Sequence, residues 1–325
     1  MASPAAVHAS VLLDFDPDRM QLALQDGVLE HLQLESGQFR GRIGHSASAD
    51  CRVDWGRYNL SLLARGDLSR DRVTIAMAVQ GQGAWRVHGR DALCGDVLVY
   101  AEGSELLAVL PPQAQWLSVQ VPRARLEAAG LQLQGCPSRM AGRVRAGLLP
   151  VLHSALADVQ PVLSPILSPV IVPGSSLAPA SGAVLAQAHD QLVDALLSHL
   201  ACHSPCGDAG LPLSPGERWH VVRRAEQYLA DCGEPSVRIE ALCTAACTSL
   251  SRLERAFRET FGVGPRRYLT LRRLAAVRRE LLRRESRSSV TDVATRWGFF
   301  HLGRFGQDYK ALFGESPSQT LRVPG

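Results

Sequence analysis

Lysine is almost missing from this 325-residue chain, because Lys310 is the single lysine among its 35 basic residues. Arginine keeps its charge at any working pH and offers a planar fork that fits phosphate or guanine, although a GC-rich genome would produce the same bias. Aromatic residues are also scarce, at 6%, but 46% of the residues are hydrophobic. That content supports a sizeable core and excludes a chain that is disordered throughout.

Long apolar runs and cysteine frameworks are lacking as well. Residues 159–188 carry no charge, but five prolines with serines between them interrupt the stretch, which argues against a membrane span. The first residues have neither a basic segment nor a continuous apolar run, so no signal peptide is predicted. The eight cysteines show no compact spacing, and a chain of this length has no need of disulfides. We therefore expect a cytoplasmic protein without membrane contact.

Motifs of catalysis are absent from the sequence, which has no Gly-Lys phosphate loop, nucleophile elbow or nucleotide-binding fingerprint. Cys202, His203 and Cys206 resemble half of a zinc site, but zinc needs four ligands and no second pair follows. His88 is the only histidine between residues 58 and 121, whereas a metallo-cupin centre needs paired histidines and a carboxylate. No enzyme activity, cofactor or metal site is predicted.

Charge is distributed unevenly along the chain. Between Arg218 and Gly325 there are 20 basic and 11 acidic residues, whereas the preceding part has 15 basic and 20 acidic residues. A basic C-terminal third attached to an acidic remainder points to one module with a polyanionic partner.

The N-terminal region, residues 1–203, is predicted to be a mainly-β barrel or sandwich, at about 14–121, followed by helices at about 122–203. Short runs of β-type residues recur there between glycine and proline turns. The predicted strands include residues 57–64, 72–79, 84–88, 96–100, 105–110 and 116–121. Helices are predicted for residues 122–130, 139–159 and 183–202. Residues 204–216 have the proline and glycine content of a linker.

An internal repeat divides the basic C-terminal region, residues 217–325. The motif Phe261-Gly262-x-x-Pro265 recurs 52 residues later as Phe313-Gly314-x-x-Pro317, and further matches upstream keep an offset of 51. Two copies in a consistent register predict two helix-turn-helix units, at 239–261 and 290–313, joined by a connector helix at 265–284.

Local signals support this division. Ser249 can cap the second helix of the first unit, because its hydroxyl accepts a hydrogen bond from an unpaired backbone N–H. Gly298 supplies the permissive dihedral angle in the turn of the second unit. Phe257 and Tyr309 follow the apolar periodicity and are expected to face inward.

Residues 218–322 resemble the AraC/XylS transcriptional regulators, and the closing run from Gly298 to Leu321, GFFHLGRFGQDYKALFGESPSQTL, resembles the XylS-type branch in particular. The resemblance implies seven helices, two recognition helices in successive major grooves, and promoter DNA and RNA polymerase as partners. It also implies a cupin-like N-terminal domain that binds an effector or dimerises. The sequence departs from the family at Cys247, where glycine is common, and at Gly306-Gln307, where many relatives have a polar residue followed by arginine.

The outward faces of the two recognition helices hold the candidate DNA-binding residues, because exposed side chains of a helix in the major groove reach base edges. These residues are Ser251, Arg252, Glu254, Arg255 and Arg258 in the first helix, and His301, Leu302, Gly303, Arg304 and Gln307 in the second. Arg255 suits guanine, Gln307 adenine and Leu302 a thymine methyl group. Arginines of the connector, such as Arg272 and Arg273, are expected to touch phosphate or solvent.

Three functions remain open on the sequence. The first is a transcription regulator controlled by a small-molecule effector, with Trp55, Tyr58 and Trp85 as candidate pocket residues, although these residues fit a barrel core equally well. The second is a constitutive DNA-binding regulator whose N-terminal domain only forms a homodimer, for which residues 183–200 offer a leucine-rich helix. The third, a cupin-like enzyme with an accessory helical domain, is disfavoured by the missing metal ligands.

Overall fold

The structure, a computed structural model, describes residues 6–12, 15–16, 20–21, 23–48, 50–131, 138–143, 190–198, 200, 217–232, 237–283 and 289–322. Candidate features outside these ranges, including the linker 204–216 and most of the predicted helix 139–159, lie beyond the described residues. No helix in the described ranges is both long and apolar enough to cross a membrane.

The described N-terminal strands form two antiparallel sheets packed face to face, so a mainly-β sandwich followed by helices is confirmed. One sheet has seven strands in the order β1-β3-β4-β11-β6-β9-β12, and the other has five in the order β2-β5-β10-β7-β8. The strands are β1 (Ala6–Leu12), β2 (Val28–Gln33), β3 (Gly41–Ala47), β4 (Arg52–Tyr58), β5 (Leu62–Asp67), β6 (Val73–Gln80), β7 (Trp85–Val87), β8 (Arg90–Ala92), β9 (Asp96–Tyr100), β10 (Glu105–Leu110), β11 (Ala114–Val121) and β12 (Ser138–Arg143).

Alternating side chains give the sandwich two apolar layers. Side chains on the inner face of the seven-stranded sheet meet the five-stranded sheet, whereas those on its outer face, such as Val119, pack under helix α1 (Arg123–Ala128) and the helical residues 190–198. Leu192 and Leu196 belong to this outer layer. The described part of the predicted helix 183–202 is therefore helical and packs against the sandwich.

Two predicted elements differ in the structure. Residues 57–64 were expected to form one strand, but the chain turns after Tyr58, where the Asn59 side chain accepts from the backbone N–H of Arg40 at 2.6 Å, and β5 begins at Leu62. The predicted helix 139–159 is wrong at its start, because Ser138–Arg143 pairs with β9 as a strand. Pairing with an open sheet edge outweighed the local helical pattern at this point.

Seven helices are present in the described part of residues 217–322, as the family resemblance implies. They are α2 (Glu217–Cys232), α3 (Ile239–Ala245), α4 (Leu250–Phe261), α5 (Pro265–Arg283), α6 (Val290–Arg296), α7 (Leu302–Phe313) and α8 (Pro317–Arg322). Helices α3 and α4 form the first helix-turn-helix unit, α6 and α7 form the second, and α5 is the connector. In the structure the first pair of helices spans residues 239–261 and the second spans residues 290–313, and the division of the chain into domains at these bounds stays a prediction.

The Phe-Gly repeat marks the same structural event in both units. Gly262 and Gly314 follow the two recognition helices α4 and α7 and adopt left-handed conformations, with φ of 76° and 77°. Such a cap favours glycine, because a Cβ atom is disfavoured at positive φ. At the other end of α4, the Ser249 side chain accepts from the backbone N–H of Arg252, which confirms the predicted cap.

The sandwich is docked on the helical domain through strand β2 and the segment that follows it. The Gln33 side chain donates to the backbone carbonyl of Leu312 at 2.6 Å, and the backbone N–H of Gly37 donates to the same oxygen at 3.0 Å. The Phe15 ring stacks on Phe313 with a centroid distance of 6.0 Å. One apolar core therefore runs continuously from the sandwich into the second helix-turn-helix unit.

Ion pairs reinforce this docking. Glu226 of α2 contacts both Arg65 of the sandwich and Arg272 of the connector, and Glu30 of β2 contacts Arg65 and, at 3.3 Å, Arg279. Burial by itself would raise the pKa of Glu30, but the surrounding guanidinium groups, Arg65 first among them, lower that pKa to about 2. Glu30 therefore stays ionised at neutral pH and binds the two domains together.

Candidate nucleic-acid interface

The first recognition helix, Leu250–Phe261, presents one apolar face and one polar face. Leu253, Phe257 and Phe261 are buried against the rest of the domain. The predicted site residues lie on the other face, where Ser251, Arg252, Arg255 and Arg258 are exposed and Glu254 is half-buried. This arrangement places three exposed arginines on the polar face.

Exposed ion pairs hold these arginines along the helix. The Arg255 side chain donates to Glu259 at 2.9 Å, and Arg258 lies 3.8 Å from Glu254. The hydrogen bond from Arg255 lowers the pKa of Glu259. Pairs this exposed stabilise a helix weakly, so the guanidinium groups can exchange a carboxylate for a phosphate or a base edge at little cost.

The second recognition helix, Leu302–Phe313, has the same division into two faces. Phe305, Tyr309, Leu312 and Phe313 are buried. All five predicted site residues are exposed, and they are His301, Leu302, Gly303, Arg304 and Gln307. The structure thus brings every predicted DNA-binding residue of both units to an outward face, apart from the half-buried Glu254.

An aromatic side chain beside the second recognition helix escaped the sequence analysis. Phe300 lies in the turn before α7 and is 76% exposed, whereas its neighbour Phe299 packs against Phe305 with a centroid distance of 5.0 Å. This turn is one residue longer than the turn of the first unit. The change of offset from 51 to 52 was the signal that a residue here has no counterpart.

The turns of the two units need the same backbone conformation. Gly298 has a φ of 83°, and Cys247, at the matching place in the first unit, has a φ of 48°. A residue with a Cβ atom is strained at such an angle. The cysteine that departs from the family pattern therefore sits at a position where the fold favours glycine.

The connector arginines face the protein more than the sequence suggested. The expectation of contact with phosphate or solvent is wrong for Arg272, which is buried and donates to Glu226 at 3.1 Å. Arg273 is half-buried and donates to the carbonyl of Val237 at 2.9 Å. Arg278 is also buried and donates to the carbonyl of Phe15 at 2.7 Å. These cations hold helices and domains together, an internal role that helical periodicity alone does not reveal.

A basic groove adjoins the first recognition helix. It encloses about 640 Å³ between α2 and the turn of the first unit, and its lining includes Arg218, His220, Arg223, Arg224, Arg252 and Arg255. Helix α2 thus adds cations to the surface that the recognition helix presents. This contribution has no local signal in the sequence, because the side-by-side packing of α2 and α4 is a tertiary feature.

The three candidate pocket residues lie in different surroundings. Trp85 lines a cavity between the two sheets, and Tyr58 is buried in the same core next to Phe39, at a ring-centroid distance of 5.7 Å. Trp55 packs on the outer face of the seven-stranded sheet. Among the described residues no group of three or more histidine, cysteine or acidic side chains is arranged to hold a metal, and Cys202, His203 and Cys206 lie outside them.

Comparisons with known proteins agree with this architecture at the C-terminus. Residues 242–322 match the family model described as a helix-turn-helix domain. The chain is 37% identical over 113 residues to the probable thc operon regulatory protein of Rhodococcus erythropolis, a match covering 34% of this chain and 33% of that protein. It is also 37% identical over 100 residues to the XylDLEGF operon transcriptional activator 3 of Pseudomonas putida, or 30% of either chain. The chain spans about a third of the length of these curated relatives.

A solved structure is similar over the same share of the chain. The crystal structure of a probable AraC family transcriptional regulator from Rhodopseudomonas palustris aligns with 31% of this chain and 94% of its own, at 31% sequence identity and a TM-score of 0.30.

Proposed function

We propose that this chain, whose C-terminal domain belongs to the AraC/XylS family of transcriptional regulators, is a sequence-specific regulator that binds promoter DNA through both helix-turn-helix units. The observation that carries the proposal is the paired arrangement of α4 and α7, each buried on its aromatic side and exposed on its polar side. Two such helices on one connector can enter successive major grooves about 34 Å apart.

The first unit supplies most of the positive charge in this proposal. Arg255 reads a guanine through its planar fork, and Ser251 and Glu254 read neighbouring bases. Arg252, Arg258 and the basic groove between α2 and α4 take phosphates of the flanking strand. Phosphate contacts fix the register of the helix, and base contacts give it specificity.

The second unit reads its groove with fewer charges. Gln307 pairs with adenine through its amide, Leu302 touches a thymine methyl group, and Arg304 takes a phosphate. His301 and Gly303 lie next to the same groove, where the missing side chain of glycine allows close approach of the DNA.

Control by a small-molecule effector completes the proposed function. The sandwich holds a cavity and is docked directly on the helices, so a ligand that favours one arrangement of the domains shifts the population that can reach both grooves. We further propose a cytoplasmic protein that acts with RNA polymerase and forms a homodimer through its N-terminal domain. No enzymatic activity is proposed.

Selection of bound duplexes from a random DNA library tests this function. We expect two short conserved blocks separated centre to centre by about 10 base pairs, one for each unit. Footprinting on the DNA flanking the gene should then protect a matching site. Binding that is equal on selected and scrambled duplexes would refute a sequence-specific regulator. An affinity for the selected duplex that no candidate effector changes would favour the constitutive alternative.

A further inference from the structure

The cavity between the two sheets has a volume of about 80 Å³. Its floor is the inner face of the seven-stranded sheet, and its roof is the five-stranded sheet. Residues that line it include Leu98, Tyr100, Thr74, His31, Trp85 and Ala108. A concave, mostly apolar site with a few polar groups is the usual form of a small-molecule site.

Formal charge is absent from the wall of this cavity. Among the residues that the structure describes, none around it is an aspartate, glutamate, lysine or arginine. The one titratable base is His31, and burial lowers its pKa to about 4, so the ring is neutral at physiological pH. A charged ligand would lose its hydration here without gaining an opposite charge.

A buried carboxylate of the sandwich, Asp54, is already paired outside the cavity wall. Asp54 is fully buried in the sandwich, but it accepts from the Gln25 and Gln120 side chains, each at 3.0 Å, and contacts His45 at 2.7 Å. The bond from Gln25 fixes the segment that follows Leu24 to strand β4. Leu24 is itself a residue of the cavity wall. The carboxylate therefore has its partners elsewhere in the sandwich and is not a residue of the cavity wall.

Several polar atoms of the wall have no hydrogen-bond partner within the described part of the chain. They include the Tyr100 hydroxyl, the Thr74 hydroxyl, Nδ1 of His31 and the indole nitrogen of Trp85. Tyr100 is 1% exposed and His31 is 2% exposed. These atoms are enclosed by the surrounding side chains and present almost no surface to the cavity, so the wall that a ligand would meet is apolar.

We propose that this cavity binds a small uncharged organic molecule with an apolar body of a few carbon atoms. The volume is roughly half of the ~150 Å³ cavity that takes up benzene, which sets the size class. The inference deepens the proposed function, because it rests on effector control by the N-terminal domain and names the chemical class of the effector.

Three four-carbon probes of matched size test the charge selectivity. Butanone, butyrate and butylammonium are titrated into the full-length chain carrying ¹³C-labelled alanine and leucine methyl groups, and methyl spectra are recorded. We expect butanone to shift the signals of Ala64 and Ala108 saturably. Butyrate and butylammonium should bind at least about tenfold more weakly, because an unpaired charge is penalised in an apolar site.

Cavity-filling variants locate the binding. Ala64→Leu and Ala108→Leu lie opposite each other on β5 and β10 and each fill the cavity, whereas Ala128→Leu makes the same change on the exposed face of α1. Butanone binding should be lost in either filled variant that folds and kept in Ala128→Leu. If both filled variants unfold, the smaller change Ala108→Val replaces them.

The outcomes separate this inference from the proposed function. Equal binding of a charged probe, butanone binding that survives filling, or no saturable shift by butanone would each overturn the ligand class. DNA binding by the same protein sample, measured without probes on the selected duplex, is independent of these results. Failure of the probes with DNA binding intact refutes the ligand class alone, and failure of DNA binding refutes the proposed function.

Discussion

The two helix-turn-helix units share a scaffold and differ on the surface that meets DNA. Their recognition helices align at the offset of 52, which pairs Phe257 with Tyr309 in the core. On the outward face, the cations Arg258 and Lys310 correspond. Arg252 and Arg304 also correspond, whereas four other pairs have diverged, and these are Ser251 with Gly303, Glu254 with Gly306, Arg255 with Gln307, and Glu259 with Ala311.

This difference separates the residues that the fold needs for packing and capping from the residues that are expected to contact DNA. Positions that pack a helix or cap it keep aromatic residues and glycine in both copies, because the same backbone geometry recurs. Cations at matching places suit the phosphate backbone, which is the same at every site. The diverged pairs are the ones expected to read bases, so the first unit should favour guanine where the second favours adenine.

The largest effect should come from the shared core. Phe257→Ala and Tyr309→Ala should each lower the free energy of unfolding by about 3–5 kcal/mol, since each removes a buried ring. Phe257 packs against Phe261 and Tyr268 at ring-centroid distances of 5.3 Å, and Tyr309 packs against Phe313 at 4.7 Å. Urea denaturation of the full chain, followed by circular dichroism, measures both changes.

A milder variant of the second unit serves as the control. Tyr309→Phe keeps the ring and removes only the hydroxyl, which lies 2.9 Å from the Thr320 side-chain oxygen, so its loss should be about 1 kcal/mol. A denaturation midpoint unchanged by either alanine variant would show that the two units do not share an aromatic core.

How much of this could be read from the sequence depends on the range of the interactions involved. The helix-turn-helix units were predictable because the Phe-Gly repeat and the Ser249 cap are local signals. The β-sandwich followed from alternating runs, but the start of the predicted helix 139–159 was overridden by pairing with β9. The docking of the two domains depends on contacts between distant residues, such as Gln33 with Leu312, for which the sequence holds no local pattern.

The candidate site divides in the same way. Outward residues of α4 and α7 were predicted from helical periodicity, and the structure exposes them. The Arg272 side chain points into the protein because it donates to Glu226, which lies on another helix. Of the cavity in the sandwich, Trp85 was named from the sequence, but most of the wall was not, because side chains such as Tyr100 and Ala108 meet there from separate sheets.

Exchanging Arg255 and Gln307, a diverged pair expected to read bases, tests whether the two units differ in the base that they prefer. Gln307→Arg should change the preferred base in the second half of the selected duplex from adenine to guanine, by about 1–3 kcal/mol, because arginine pairs with guanine in a bidentate way. Arg255→Gln should make the reverse change in the first half. Titrations on duplexes that differ at one base pair measure both shifts. Arg255 would read no base if Arg255→Gln bound the guanine duplex and the adenine duplex equally tightly, and as tightly as the unchanged protein binds the selected duplex.

The shared cations provide the matching control. Arg258→Ala and Lys310→Ala should weaken binding to selected and scrambled duplexes alike and reduce the slope of log affinity against log salt by about one. Titrations at several salt concentrations separate this behaviour from that of Arg255. A base-specific loss in Lys310→Ala would contradict its assignment to phosphate.

Substitutions at Gly298 and Cys247, in the turns of the two helix-turn-helix units, should change the free energy of unfolding in opposite directions. Gly298→Ala should lower the free energy of unfolding by about 1–2 kcal/mol, because it places a Cβ atom at a positive φ. Cys247→Gly removes the same strain from the first unit but adds freedom to the unfolded chain, so the net gain should be below about 1 kcal/mol. Thermal denaturation of both variants decides the matter. Destabilisation by Cys247→Gly as large as that by Gly298→Ala would show that the first turn needs its thiol.

The smallest expected effect concerns the leucines that begin the two recognition helices. Leu250 and Leu302 correspond at the offset of 52, and they are 40% and 41% exposed. Burying one methyl group against another stabilises a complex by roughly 0.8 kcal/mol. If Leu302 touches a thymine methyl group, Leu302→Ala and replacement of that thymine by uracil should each weaken binding by about this amount. Together they should weaken it little further, since both remove the same contact.

The same pair of changes, leucine to alanine and thymine to uracil, applied at Leu250 tests whether both recognition helices enter their grooves to the same depth. Equal docking places the two leucines at equivalent depths, so each should couple to one thymine methyl group in its own half of the selected duplex. Coupling at Leu302 alone would mean that the longer turn with Phe300 tilts the second helix to a different depth. Strictly additive losses at both positions would show that neither leucine contacts a thymine, and the outward leucines would then only shield the ends of their helices from water.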